Sequence, residues 1–167
     1  MKHGILLICL LLAGNSQVIW GQSSPDTLPP SIHVDRTYYP GTHQLARKFA
    51  YYFDHWSEQK VRHGLFSTWN KEGQLQQVAH YHHDTLNGVF EEYYANGQLK
   101  SRVQYTRGKL DGPVAFYALD GHIRKRGYYR AGTRHGNFIQ YRRDGTERSR
   151  RSYEYGTRKK APKVADS

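Results

Sequence analysis

The sequence has one cysteine, Cys9, in 167 residues. A single thiol forms no intramolecular disulfide, so the fold has to rest on packing and hydrogen bonding. Long apolar runs are missing as well. The sustained run at residues 5–12 is eight residues long, and a helix needs roughly 20 to span a bilayer. Proline is scarce, at six copies, and half of these fall at Pro25, Pro29 and Pro30. Acidic residues are also short, 14 Asp and Glu against 25 Lys and Arg, giving a formal charge of +11. Equally absent are the patterns of several chemistries. There is no nucleophile with a base and an orienting partner, no dinucleotide fingerprint and no phosphate-cradling glycine loop. Glu91 and Glu92 are adjacent, so on a strand they point to opposite faces and make poor partners for shared acid–base work. The sequence therefore predicts no catalytic residues, no cofactor and no enzyme.

The N-terminus reads as a signal peptide over residues 1–21. Lys2 supplies the positive start, residues 5–12 the apolar stretch, and Gly21 a small residue before a cut that leaves Gln22 first. Cys9 lies between Ile8 and Leu10, without the small-residue context of a lipid-modified cysteine. The expected product is exported, periplasmic or extracellular, with no transmembrane helix and no cysteine. Residues 22–38, proline-bearing and without periodicity, read as an extended linker that stays out of the core.

What is abundant is glycine, 16 copies, and tyrosine, 14 copies, and both keep a period of 24. Gly73, Gly97, Gly121 and Gly145 form one column; Gly64, Gly88, Gly112 and Gly136 a second; Gly108, Gly132 and Gly156 a third. The aromatics keep step as Tyr81, Tyr105, Tyr129 and Tyr153, and as Trp69, Tyr93, Tyr117 and Tyr141. Phe66, Phe90, Val114 and Phe138 make another column, and Leu75, Leu99 and Ile123 one that breaks at Glu147. Residues 98–105 alternate Leu99, Ser101, Val103, Tyr105 against Lys100, Arg102, Gln104, which predicts a strand. Turns are expected at Asn96-Gly97 and again across residues 108–112, with a shorter second strand over residues 114–117. One β-hairpin per unit follows. The predicted fold is all-β, an elongated antiparallel sheet of successive hairpins in which stacked aromatic columns bury area between neighbours. Residues 39–68 read as a degenerate N-terminal cap with eight extra residues, the alternative being a ligand-binding insertion. Residues 69–156 are regular repeats, and residues 157–167 a basic tail.

Units of the form Asn96-Gly97-Gln98-Leu99-Lys100, then Tyr105, Gly108-Lys109-Leu110-Asp111-Gly112 and Tyr117, resemble the MORN-repeat variant family. The resemblance implies a twisted single-layer sheet of hairpins used as a scaffold for protein contact, at times at membranes, without catalytic residues. Bacterial members are often labelled antitoxin components, a role at odds with export unless the partner is exported too.

Two clusters remain. His80, His82 and His83 surround Tyr81, but alternation places only His80 and His82 on one face, so a structural role is expected and no metal site. His63 and His135 stand in the column of Asn87 and Asp111, directly before a glycine, and are expected in turns. The second cluster is basic: residues 121–167 carry fourteen Lys and Arg against four Asp and Glu, whereas residues 22–120 balance at ten each. Arg124, Arg126, Arg148 and Arg150 recur at matching positions, and Arg142, Arg143, Arg158, Lys159 and Lys160 extend the charge. This end is either a solvated face or a surface for an anionic partner. Nucleic acid fits the charge but not an exported location, which leaves an acidic protein, anionic lipid or an envelope polymer. The expected function is a scaffold for another protein, with an envelope- or lipid-associated structural protein as the alternative.

Overall fold

The computed structural model describes residues 31–160. The expected signal peptide (residues 1–21), residues 22–30 of the expected linker and residues 161–167 of the expected tail lie outside them. Eleven strands follow one another along the chain: β1 (His33–Tyr38), β2 (Leu45–Phe53), β3 (Lys60–Trp69), β4 (Leu75–His82), β5 (Thr85–Tyr93), β6 (Leu99–Thr106), β7 (Lys109–Tyr117), β8 (Ile123–Arg130), β9 (Thr133–Tyr141), β10 (Glu147–Glu154) and β11 (Thr157–Arg158). Each pairs only with its predecessor and successor, in one open antiparallel sheet. The all-β hairpin array expected from the 24-residue period is the fold observed.

Two turn types alternate along the sheet. The tight ones place both central residues at positive φ: His83 (+49°) and Asp84 (+58°), Arg107 (+48°) and Gly108 (+76°), Ala131 (+48°) and Gly132 (+86°), Tyr155 (+44°) and Gly156 (+87°). That geometry matches the right-handed twist of the flanking strands. The wider turns close with the amide of Gly73, Gly97, Gly121 or Gly145 donating to the carbonyl three residues back, at 2.9–3.1 Å. In each of them a side chain supports the turn: Asn70 Oδ1 accepts from the Gln74 amide at 2.8 Å, Asn96 Oδ1 from the Gln98 amide at 3.1 Å, Asp120 Oδ1 from the His122 amide at 3.4 Å and Asp144 Oδ1 from the Thr146 amide at 2.8 Å.

The second glycine column corrects the sequence reading. Gly64, Gly88, Gly112 and Gly136 are not in turns but inside β3, β5, β7 and β9, and β7 begins at Lys109 rather than near Val114. At Gly112 the pairing steps from Val103↔Val114 to Tyr105↔Leu110, so Gln104 alone faces three residues, a large β-bulge. Gly112 takes φ +134° there, and a Cβ on it would lie 2.7 Å from Gln104 Cβ. The Asn or Asp before such a glycine serves the next hairpin instead. Asn87 Oδ1 accepts from the Arg107 amide at 3.1 Å, and the Gly108 amide donates to Leu86 O at 2.8 Å. The same backbone bond recurs from Gly132 to Leu110 (2.7 Å) and from Gly156 to Arg134 (2.9 Å), so each tight turn is tied to the preceding hairpin. His63 and His135, expected in turns, accordingly lie within β3 and β9.

The aromatic columns do pack, but Phe against Tyr and over glycine rather than Tyr on Tyr. Tyr81, Tyr105, Tyr129 and Tyr153 pair across the ladder with Gly64, Gly88, Gly112 and Gly136. A Cβ at Gly64, Gly88 or Gly112 would point instead to the preceding strand, meeting Ala50, His80 or Gln104. Edge contacts join Phe66 to Tyr81 (5.7 Å between centroids), Phe90 to Tyr105 (6.0 Å) and Phe138 to Tyr153 (5.3 Å). The other two columns meet in the same way: Trp69↔Leu75, Tyr93↔Leu99, Tyr117↔Ile123 and Tyr141↔Glu147. Because a single layer has no second layer to cover it, these tyrosines are only half-buried. Among the described residues the buried apolar ones are Ala79, Val114, Phe138 and Ile139.

Both ends are more ordered than the sequence suggested. The linker was expected to run to Tyr38, yet β1 pairs with β2, and Asp35 meets Lys60 of β3 at 2.8 Å. At the other end Arg158, expected in a free tail, belongs to β11 and pairs with Tyr153, while the Lys159 amide donates to Ser152 O at 2.9 Å. The extra residues of the cap fall mostly in the loop between β2 and β3, where Asp54 Oδ1 accepts from the amide and hydroxyl of Ser57, each at 2.8 Å. That loop presents Trp56 at 89% exposure.

Candidate anion-binding cleft

The wider turns share one edge of the sheet, and the last of them, between β9 and β10, carries Arg142 and Arg143. Where β7 meets β8 the register slips between Phe116 and Tyr117, so Arg124 has no partner opposite it. The same slip at the junction of β9 and β10 leaves Arg148 unpaired in the ladder. A bulge turns a side chain out of the strand's alternation. Arg124 and Arg148, read from sequence as sharing a face with Arg126 and Arg150, are thereby separated from them.

These two arginines, with Arg142 and Arg143, line a cleft of about 1020 Å³ whose remaining wall includes Tyr94, Leu119, Asp120, His122 and Tyr141. A smaller opening of about 380 Å³ beside it shares Arg124, Tyr141 and Arg148 and adds Lys125. Asp120 is the one carboxylate on the cleft wall. It lies against His122 Nδ1 and 3.5 Å from Arg143. Burial alone would raise its pKa, but the hydrogen bonds from His122 and the charge of Arg143 outweigh that and hold it below the usual carboxylate value. Arg142 is fixed by hydrogen bonds to Thr146 Oγ1 (3.3 Å) and Glu147 O (2.8 Å). Among the described residues Arg124 and Arg148 make no ion pair. The cleft thus gathers four guanidinium groups against one carboxylate, beside two tyrosine rings and an exposed leucine.

The other basic residues expected to join this surface have different surroundings. Arg126 lies over the Tyr141 ring at 5.5 Å. Arg150 pairs with Glu147 through two nitrogens, at 2.6 and 3.1 Å, and Lys159 pairs with Glu154 at 2.9 Å. Arg158 and Lys160 are exposed and do not line the cleft. Tyr94, Leu119 and His122 were not foreseen as part of the site. Tyr94 stands one residue past its aromatic column, and its hydroxyl donates to Tyr117 O at 2.9 Å, linking successive hairpins beside the cleft.

An open sheet of tied hairpins with a charged cleft at one end defines a β-hairpin repeat protein. A family model described as MORN repeat variant matches residues 62–83 and 86–106, two successive units spanning β3 to β6. The resemblance is thus to the repeat, and the later units continue the same register without being part of that match. No curated protein matches the chain. Among the described residues, no helix is long and apolar enough to cross a membrane.

Proposed function

We propose that the chain is an exported, non-enzymatic repeat scaffold that holds a protein partner by seating acidic side chains in the arginine cleft. The observation that carries this reading is the set of Arg124, Arg142, Arg143 and Arg148 around one cleft with a single opposing carboxylate. Guanidinium groups bind carboxylates in planar, bidentate pairs. Tyr141 and Leu119 beside them supply the apolar contact that an interface core uses. Pull-down from an envelope fraction with the wild-type chain and with Arg124→Ser/Arg148→Ser tests it. A protein retained by the wild type, resistant in part to salt and lost from the double variant, is the expected result. Equal retention by both chains removes the cleft from the function.

The alternative, an envelope- or lipid-associated protein held by its basic end, is favoured by the charge asymmetry along the chain. It predicts that vesicles containing anionic lipid pellet the protein at low salt and release it as salt rises, since exposed charges are screened beyond about 10 Å at 0.1 M. An antitoxin-like neutralising role fits only if the toxic partner is itself exported.

A further inference from the structure

The hairpin register brings together histidines that lie about 20 positions apart in sequence. His63 occupies, in β3, the slot that Asn87 fills in β5. His82 ends β4, and His83 is the first residue of the tight turn, where φ of +49° aims its ring away from the strand's alternation. The ring centroids lie 4.8 Å (His63 to His82), 5.2 Å (His63 to His83) and 4.2 Å (His82 to His83) apart. One nitrogen from each lies within 4.8 Å of the others. His80, the neighbour that alternation pairs with His82, is engaged elsewhere, its Nδ1 3.1 Å from Val89 O.

Three observations point to a ligand for the trio. His63 Nδ1 is buried and, among the described residues, has no hydrogen-bond partner, whereas Asn87 in the equivalent slot caps the next turn. The Tyr52 hydroxyl is 2.5 Å from His83 Nδ1, which orients that ring and leaves its Nε2 free, as a supporting shell does at a metal site. Finally, Asp84, the adjacent carboxylate, is taken up by Arg62 at 2.7 Å, so the cluster offers nitrogen and not oxygen.

We infer that His63, His82 and His83 form a site for one divalent transition-metal ion of the zinc class, bound by three imidazoles with the fourth position open. Metal–nitrogen bonds of about 2.0–2.1 Å place tetrahedral ligand nitrogens roughly 3.4 Å apart. Closing the present separations to that distance requires the exposed His82 and His83 side chains to rotate. Calcium and magnesium demand oxygen and are excluded, while imidazole suits zinc, copper and nickel. His82 and His83 also line a cleft of about 400 Å³ with Thr85, Asn87 and Arg107. The Arg107 guanidinium at that mouth favours an anion as the fourth ligand.

The test uses the untagged chain at pH 7.5, titrated with zinc by calorimetry and with cobalt by visible absorption. One equivalent of zinc is expected to bind, with cobalt bands of a four-coordinate site. His63→Gln, His82→Gln and His83→Gln should each weaken binding by roughly tenfold or more through loss of one ligand. His80→Gln and His135→Gln should leave it unchanged. His135 is the sharper control: its Nδ1 is likewise buried and unpartnered, but its ring faces Tyr155 at 5.3 Å and no other imidazole. Far-ultraviolet spectra establish that each variant is folded, and the exposed His82 and His83 decide the matter if His63→Gln is not. No stoichiometric zinc binding by the wild type, or binding unaffected by His82→Gln and His83→Gln, overturns the site.

Discussion

At Gly112 two separate demands meet, a backbone at φ +134° and a neighbour, Gln104 Cβ, 2.7 Å from where a side chain would begin. Gly97 meets only the first, at φ +82° with nothing within 4 Å of its absent Cβ. Gly97→Ala should therefore cost about 1 kcal/mol and Gly112→Ala distinctly more. Equal melting points for the two variants would show that the close approach to Gln104 is without consequence. A second local device is the cluster of Glu91, Tyr93 and Arg102. The Tyr93 hydroxyl donates to Glu91 Oε2 at 2.6 Å, and Arg102 Nε to Oε1 at 2.7 Å. Burial pushes the Glu91 carboxyl up, but these two bonds prevail and its pKa lies below the usual value. Burial, then the carboxylate, pushes Tyr93 up to about 12. The folded state thus favours ionised Glu91. Its contribution is present above the unfolded carboxyl value and is lost as the pH falls through the folded one. Neutral Tyr93 is favoured in turn, with a contribution that is present below the unfolded phenol value and lost as the pH rises through the folded one. Glu91→Gln should lower stability at pH 7 by about 1 kcal/mol and have a much smaller effect at pH 3, in melts compared at both.

Among the elements, the period of the hairpins was legible because it is written in residue identity: glycine and aromatic columns repeat without insertion from Gly64 to Gly156. The position of the turns was not. Asp111-Gly112 has the chemistry of a hairpin tip, but Arg107-Gly108 closes the strand, and the Asp-Gly pair serves a bulge. Bulges also hid the cleft, since simple alternation places Arg124 with Arg126, and the one-residue slip that separates them depends on what stands opposite in the neighbouring strand. His63 was missed for a related reason, its approach to His83 being a product of register rather than of spacing. β1 carries none of the columns, so nothing in its sequence announced that it would cover β2. The tight turns now make their own prediction. Ala131 sits at φ +48° ahead of Gly132, a conformation that Asn tolerates better than Ala. Ala131→Asn should stabilise the protein by roughly 0.5–1 kcal/mol, read as a rise in the denaturant midpoint at unchanged slope.

For the molecule as a whole, the absence of a second layer shifts stability from a shared core to contacts between neighbouring strands. Arrays of this kind behave as a sum of units and the junctions between them. The charged end has a further role in such an arrangement. β11 covers only the far end of β10, pairing with Tyr153 and Glu154, so that a stretch bearing Arg148, Arg150 and Arg151 forms the outer edge of the sheet. Charged side chains on an exposed edge discourage pairing with another chain. A partner that neutralises the arginines would also remove this safeguard.

The amide-to-carbonyl bonds from Gly108, Gly132 and Gly156 to the hairpin before each of them act like rungs fastened at regular intervals. Pulled from its two ends, such a ribbon gives way one rung at a time instead of collapsing at once. Force spectroscopy should record a sawtooth whose steps each release about 80 Å of extended chain, the reach of one 24-residue unit at about 3.3–3.6 Å per residue. A single large rupture would mean that the hairpins yield together.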